Sequence, residues 1–348
     1  MSRFRQATAI LLLGMAPLAL LEGGLRLCGW PTERVRTFSK LLNFDAATWQ
    51  RTIGIFRPGL RATVMWPPEL SYEVHINSLG LRGPEIERSA PPGRIRILVL
   101  GDSMTFGYYL EEEETFPARL EARLRADGID AEVVNTGSGG WSIGSETRFL
   151  IERGLALEPD HVILAICAND LTELDEEEDL YPRQARAVGE LRRELSQIMY
   201  STASYELYLR AQVAWKHWRK RRDGDRRGPP NPVELQESSD EVWARYAAWL
   251  DRLREVLDAR GIRLWMVFVP GAYEVIRGEL PTLEARLHEL ARARGIGFVA
   301  ALAEFQRDPQ ADPQAWYLLP LDGHFSAAGA DRLAGIVEPA LAKLLAGE

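Results

Sequence analysis

Arg96-Ile97-Leu98-Val99-Leu100-Gly101-Asp102-Ser103-Met104-Thr105 is a hydrophobic run stopped by a Gly-Asp-Ser turn. An aliphatic stretch of this length, bounded by turn formers, predicts an internal β-strand leading towards a helix. Open α/β sheets bind ligands in the crevice outside the carboxyl ends of their strands, so the turn puts the Ser103 hydroxyl where a nucleophile would sit. Taken alone the tripeptide has an ordinary explanation, because Gly, Asp and Ser also stop strands and cap helices without doing chemistry.

The later strands argue for chemistry. Glu132-Val133-Val134-Asn135 leads into Thr136-Gly137-Ser138-Gly139-Gly140-Trp141, and His161 to Ile166 leads into Cys167-Ala168-Asn169-Asp170. A further strand is predicted from Ile262 to Val269, ending at Pro270-Gly271, and a short one from Ile296 to Ala300, with Asp322-Gly323-His324 beyond a loop. If the strands run parallel, these turns share one edge of the sheet, and Ser103, Gly140, Asn169 and His324 converge there.

A serine hydroxyl is a poor nucleophile until a base takes its proton, and a neutral imidazole is suited to that near pH 7. Of the five histidines, His161 begins its strand and so lies at the opposite edge, His288 falls in a predicted helix, His217 in a basic helical run, and His75 precedes the α/β pattern. His324 is the remaining candidate, placed by position alone. Attack on an ester carbonyl builds negative charge on oxygen, and the Ser103 and Gly140 backbone N–H groups and the Asn169 side-chain amide can meet it. A glycine at 140 lets the main chain approach a substrate closely. The plain alternatives are a tight turn at Gly140 and an Asx-turn or cap at Asn169.

These residues resemble the SGNH hydrolases, also called GDSL esterases and lipases, and specifically a membrane-anchored bacterial type. The blocks that carry the resemblance are Gly101-Asp102-Ser103, the Asn135 to Gly140 turn, Ala168-Asn169-Asp170 and Asp322-Gly323-His324, in the family's order from about Arg94 onward. The resemblance implies a flavodoxin-like three-layer α/β/α sandwich with a parallel sheet, nucleophile Ser103, base His324 and an oxyanion hole of Ser103, Gly140 and Asn169. It implies no cofactor and no metal. Two positions depart from the pattern. Ala168 stands where the third block usually has glycine, and the acid, Asp322, lies two residues before the histidine where the family places it three before. Residues i and i+2 of an extended segment point to the same side, so Asp322 can still flank the imidazole. The Asp-x-His spacing also resembles SGNH-like O-acetyltransferases that modify bacterial polysaccharides.

Composition agrees with an enzyme domain plus additions. With 348 residues, 46% hydrophobic and 26% charged, the chain can bury a sizeable core. A net charge of −8 argues against a nucleic-acid partner. Cys28 and Cys167 are the only cysteines and fit neither a disulfide framework nor a zinc site.

Residues 1–30 form an anchor or signal segment. Ala7 to Leu21 is apolar after Arg3 and Arg5, and counting on to Leu27 gives a helix of roughly 31 Å at about 1.5 Å per residue, enough to cross a bilayer. Glu22 and Arg26, four apart, can pair, and Trp30 suits headgroup level. No Ala-x-Ala cleavage site follows, so an uncleaved transmembrane helix is expected. Basic residues flank it on both sides and do not decide topology; a short N-terminus before a signal-like core predicts an exported, periplasmic domain on a single-pass anchor of the inner membrane.

Residues 31–92 read as an irregular or β-rich lead-in, with the alternating Tyr72-Glu73-Val74-His75-Ile76 and a turn at Asn77-Ser78-Leu79-Gly80, closed by Pro91-Pro92-Gly93. It packs against the sheet or serves as a spacer. Residues 93–348 are the hydrolase-like domain, carrying a helical insertion at about 174–239 that leaves from the catalytic edge, rich in aromatics (Tyr205, Tyr208, Trp215, Trp218) and then basic. Such insertions form lids or acceptor sites, and their plain reading is a packing stripe with a solvated face. The expected activity is a membrane-anchored serine esterase removing small O-acyl groups from an envelope glycan or glycolipid, so that the partners are an acylated carbohydrate or lipid and the membrane. An O-acetyltransferase using the same site, or a non-catalytic glycan-binding protein on the same fold, are the alternatives.

Overall fold

The computed structural model describes residues 16–29, 35–36, 56, 58–65, 70–174, 202–222, 239–277, 281–307, 312–319 and 321–345. Two sheets are present among them. The smaller joins β1 (Val35–Arg36), β2 (Arg61–Met65) and β3 (Ser71–His75), with β1 parallel and β3 antiparallel to β2. The larger contains β4 (Ile95–Leu100), β5 (Ala131–Asn135), β6 (His161–Ile166), β7 (Arg263–Phe268) and β8 (Gly297–Val299) in the spatial order β5-β4-β6-β7-β8. Every pairing in it is parallel. This is the flavodoxin-like order, whose direction reverses between β4 and β6, so the binding crevice falls outside the carboxyl ends of those two strands.

The strands form where the sequence places them because they are buried on both faces. Ile97 to Leu100 and Val162 to Leu164 are completely inaccessible, which is why they read as unbroken aliphatic runs rather than alternating ones. Each such side chain contributes roughly 1.5–3 kcal/mol on burial. Between the strands lie α1 (Ser103–Phe106), α2 (Phe116–Ala126), α3 (Ile143–Glu152), α4 (Ala203–Arg222), α5 (Asp240–Asp258), α6 (Ala272–Arg277) and α7 (Pro281–Ala293), with α8 (Leu302–Gln306) and α9 (Ala327–Leu345) after β8. Their starts are chemically marked. Thr115 caps α2 by accepting from Ala118 N, and Ser239 caps α5 by accepting from Val242 N, with Asp240 and Glu241 in the first turn. Right-handed crossovers send the β4-to-β5 connection to one face and the later ones to the other. Accordingly α2 packs with α9, and α3 with α5, giving three layers.

The lead-in is more than a spacer. In β3 the side chains alternate, with Tyr72 and Val74 buried and Ser71 and Glu73 exposed, and the turn after it is closed by Asn77 Oδ1, which accepts from Leu79 N at 3.0 Å and Leu81 N at 3.1 Å. The small core formed with Phe56, Ala62, Val64 and Ile76 is completed by Phe106 from α1. The second sheet therefore closes on the segment that carries Ser103.

At the N-terminus residues 16–27 are helical. No described helix is long and apolar enough to cross a membrane; residues 1–15, which hold most of the apolar run, lie outside the described residues. Glu22 pairs with Arg26 at 2.7 Å and also caps α4, accepting from Ala203 N at 3.0 Å and from Ser204 N and Oγ at 2.9 Å. Of the insertion, α4 is described, with Tyr208, Trp215 and Trp218 exposed; residues 175–201 and 223–238 lie outside the described residues.

Candidate active site

Ser103 is the first residue of α1, directly after β4, and Asp102 is its N-cap. The helix is short because Gly107 turns left-handed at φ 83°, its N–H returning to the Ser103 carbonyl. Ser103 Oγ lies 2.7 Å from His324 Nε2, across 221 residues of sequence. On the far side of the ring, His324 Nδ1 lies 2.5 Å from Asp322 Oδ1. With Nδ1–H donating to the carboxylate, Nε2 carries the lone pair that accepts the serine proton.

The reason Asp322 reaches His324 differs from the one the spacing suggests. The segment is a turn, not an extended stretch. Asp322 Oδ1 also accepts from the His324 backbone N–H at 2.9 Å, closing an Asx-type turn, and Leu318 N and Asp322 N hold the loop from outside by donating to His324 O and Leu318 O. Burial opposes ionisation of Asp322, but its bond to His324 and the charge there hold its carboxyl below the usual range, with help from Tyr109.

The three oxyanion candidates sit on the neighbouring turns. Ser103 N–H belongs to the first turn of a helix, where no intrahelical acceptor exists. Gly140 has φ 76°, a conformation that favours glycine, while a Cβ there would meet nothing within 4 Å; the backbone angle, not crowding by the protein, is what demands glycine. Crowding acts at Gly137 instead, where a Cβ would lie 2.4 Å from Phe106 N. The same turn is pinned to the serine turn by Ser138 N donating to Gly101 O at 3.0 Å. Asn169 Nδ2 donates to Asp102 Oδ2 at 3.1 Å. An amide has two hydrogens, and this bond leaves the second for a substrate oxygen.

Asp102 is the hub of this edge. Almost fully buried, it accepts from Met104 N at 2.8 Å and Cys167 Sγ at 3.4 Å as well as from Asn169, and so ties the end of β4 to the end of β6. Below it, Asp102, Asp170 and Glu173 bring carboxylate oxygens within 4.8 Å of one another. Burial, and after it the charges of Glu146, Asp102 and Glu173, pushes the pKa of Asp170 well up.

Sequence reasoning missed three residues around the base. Tyr108 stacks on His324 with ring centroids 5.1 Å apart and planes 20° apart, and Tyr109 meets the ring edge-on at 5.6 Å. Tyr109 has φ 67°, the left-handed region, which costs a non-glycine residue roughly 1–2 kcal/mol, and its hydroxyl donates to Asp322 Oδ2 at 3.2 Å. Burial, then the Asp322 charge, raises its pKa far above a phenol's. Arg82, buried, donates to the carbonyls of Phe106 at 2.7 Å and of Gly107 and Leu110 at 2.5 Å. No motif announces any of the three.

A serine, an imidazole and a carboxylate in hydrogen-bonded series at a sheet edge can perform acyl transfer. The GDSL-like Lipase/Acylhydrolase family matches residues 99–332, a stretch that contains Ser103, Gly140, Asn169, Asp322 and His324. The chain belongs to this family. Membership in the GDSL-like family makes it a carboxylic-ester hydrolase. No curated protein matches it by sequence. Among solved structures, TesA is similar at 15% identity over 72% of this chain and 99% of that one, with a TM-score of 0.44. The acetylxylan esterase Axe2 from Geobacillus stearothermophilus is similar at 18% identity over 72% and 94%, TM-score 0.42. A Clostridium thermocellum family 3 carbohydrate esterase is similar at 14% over 73% and 98%, TM-score 0.43.

Proposed function

We propose that the chain is a serine esterase that removes small O-acyl groups, such as acetyl, from an envelope glycan or glycolipid. The observation that carries the reading is the hydrogen-bonded series Ser103 Oγ, His324 Nε2 and Nδ1, Asp322 Oδ1. In the first half-reaction Ser103 Oγ attacks the ester carbonyl while His324 Nε2 takes the hydroxyl proton. Negative charge collects on the former carbonyl oxygen, facing the Ser103 and Gly140 N–H groups and the Asn169 amide. His324 then returns the proton to the departing alkoxide, leaving an acyl-serine and a free alcohol. Water repeats the sequence through the same base, releasing the acid and restoring Ser103. Asp322 holds the Nδ1–H tautomer and stabilises the imidazolium formed twice per cycle.

The half-buried rings of Tyr108 and Tyr109 stand on two sides of His324. A second reading, transfer to a sugar hydroxyl, is favoured by the Asp-x-His spacing. The deciding experiment supplies an acetylated chromogenic ester with and without a sugar oligomer: an esterase releases acetate at the same rate in both, whereas a transferase moves acetyl to the oligomer.

In this reading the N-terminal segment holds the enzyme on the cytoplasmic membrane with the catalytic domain outside. Alkaline phosphatase fused after residue 92 is then active and the full chain stays with membranes through a carbonate wash. An inactive fusion reverses the topology.

A further inference from the structure

Tyr109 combines an unfavourable backbone with a specific bond. A bulky aromatic residue stays in the left-handed region only where its surroundings over-determine it, and here they do. Arg82 grips the carbonyls of Phe106, Gly107 and Leu110, on both sides of Tyr109. Among the described residues every hydrogen-bond acceptor of this guanidinium is a backbone carbonyl, Glu73 O included at 3.5 Å. Its planar fork spans several oxygens at once, which an ammonium would not. Tyr72, from β3, supports the Tyr109 ring edge-on at 5.8 Å. The segment after β3, through Arg82, and β3 itself, through Tyr72, thus fix the Tyr109 turn.

The bond itself lands where orientation matters. Asp322 spends Oδ1 on His324, ring and backbone, and Tyr109 takes Oδ2. A carboxylate held at one oxygen can still rotate about its bond to Cβ; held at both, it presents a fixed acceptor to Nδ1–H. We propose that Tyr109 is a positioning residue of the acyl-transfer reaction, locking Asp322 and through it His324, and that the turn after β3 holds it in place through Arg82. This rests on the esterase reading for its effect on rate, but not for its effect on the ring.

Tyr109→Phe removes the hydroxyl and keeps the ring packing. On a small chromogenic ester it lowers kcat about tenfold with KM unchanged, the loss expected of one ordinary hydrogen bond, and leaves the melting temperature near that of the wild type. In an Asp322→Asn background the same substitution has no further effect. Independently of any activity, the downfield proton resonance of His324 Nδ1–H shifts in Tyr109→Phe. An unmoved resonance, or an equal rate loss in both backgrounds, overturns the proposal. Full activity in Ser103→Ala overturns the esterase reading instead, and the resonance then decides the positioning role alone.

Discussion

The five-stranded sheet brings its functional groups together by topology, because parallel strands of the order β5-β4-β6-β7-β8 deliver the turns after them to one edge. The three-stranded sheet supplies none of the groups that would touch substrate, yet it closes its core on Phe106, three residues beyond Ser103, and the turn that follows it fastens the next turn with one arginine. The first region works through repetition of a strand pattern; the second works through a few single residues. A site can therefore be complete in its chemical parts and still depend on a second body for their aim.

The strongest test of the division is at the sheet edge. Ser103→Ala lowers kcat by roughly 10⁶-fold and, separately, Asp322→Asn by roughly 10⁴-fold, since each removes a member of a unit that acts together. A fluorophosphonate probe labels the wild type and fails to label Ser103→Ala. Next comes Asn169→Ala. If its second amide hydrogen meets the oxyanion, kcat falls by about 100–1,000-fold with a smaller change in KM; if Asn169 only braces Asp102, turnover stays within a fewfold and the melting temperature drops.

The lead-in is probed at the arginine that follows β3. Arg82→Met removes the donor shared by four carbonyls; those of Phe106 and Gly107 keep Asn135 Nδ2 and Leu110 N, so the loss of stability is about 1–3 kcal/mol, while kcat at a temperature where the variant is folded falls about tenfold, as for Tyr109→Phe. A folded Arg82→Met with full kcat would reduce the sheet to a covering. The smallest change in rate is expected at Asp170, which is buried and accepts from Cys167 N at 3.2 Å. Its folded pKa is raised, so its contribution is present at low pH and is lost as pH rises from its unfolded value towards the folded one. Asp170→Asn has no proton to lose. Denaturant melts therefore show the variant gaining on the wild type above about pH 4, by at most ~1.4 kcal/mol per pH unit.

The parallel sheet is legible in the sequence because burial on both faces writes itself into composition: Ile97 to Leu100 and His161 to Ile166 cannot be read as anything alternating. Strand ends are legible too, β7 and β8 falling within the expected spans. His324 can be placed by elimination from strand polarity, since His161 does begin β6 and His288 does fall in α7. Arg82 and Tyr109 cannot. A lone arginine after a Gly-Leu turn and a second tyrosine after a glycine obey no period, and their meaning resides in carbonyls and a carboxylate brought close by folding. The geometry of Asp322 is half legible: the spacing allows contact with His324, but the Asx-type turn that produces it depends on the loop between Tyr317 and Phe325, whose bridge closes only in three dimensions.

The sequence separation of 221 between Ser103 and His324 also sets a clock. A chain made from its N-terminus exposes its nucleophile early and acquires its base only when nearly all of the domain has emerged. The His324 loop is in turn seated by α9, where Gly329 packs so closely on Trp316 that a Cβ would lie 2.1 Å from its carbonyl oxygen. Until that last helix has docked, Ser103 is an ordinary alcohol beside whatever ester it passes. The enzyme is its own zymogen for the duration of its synthesis.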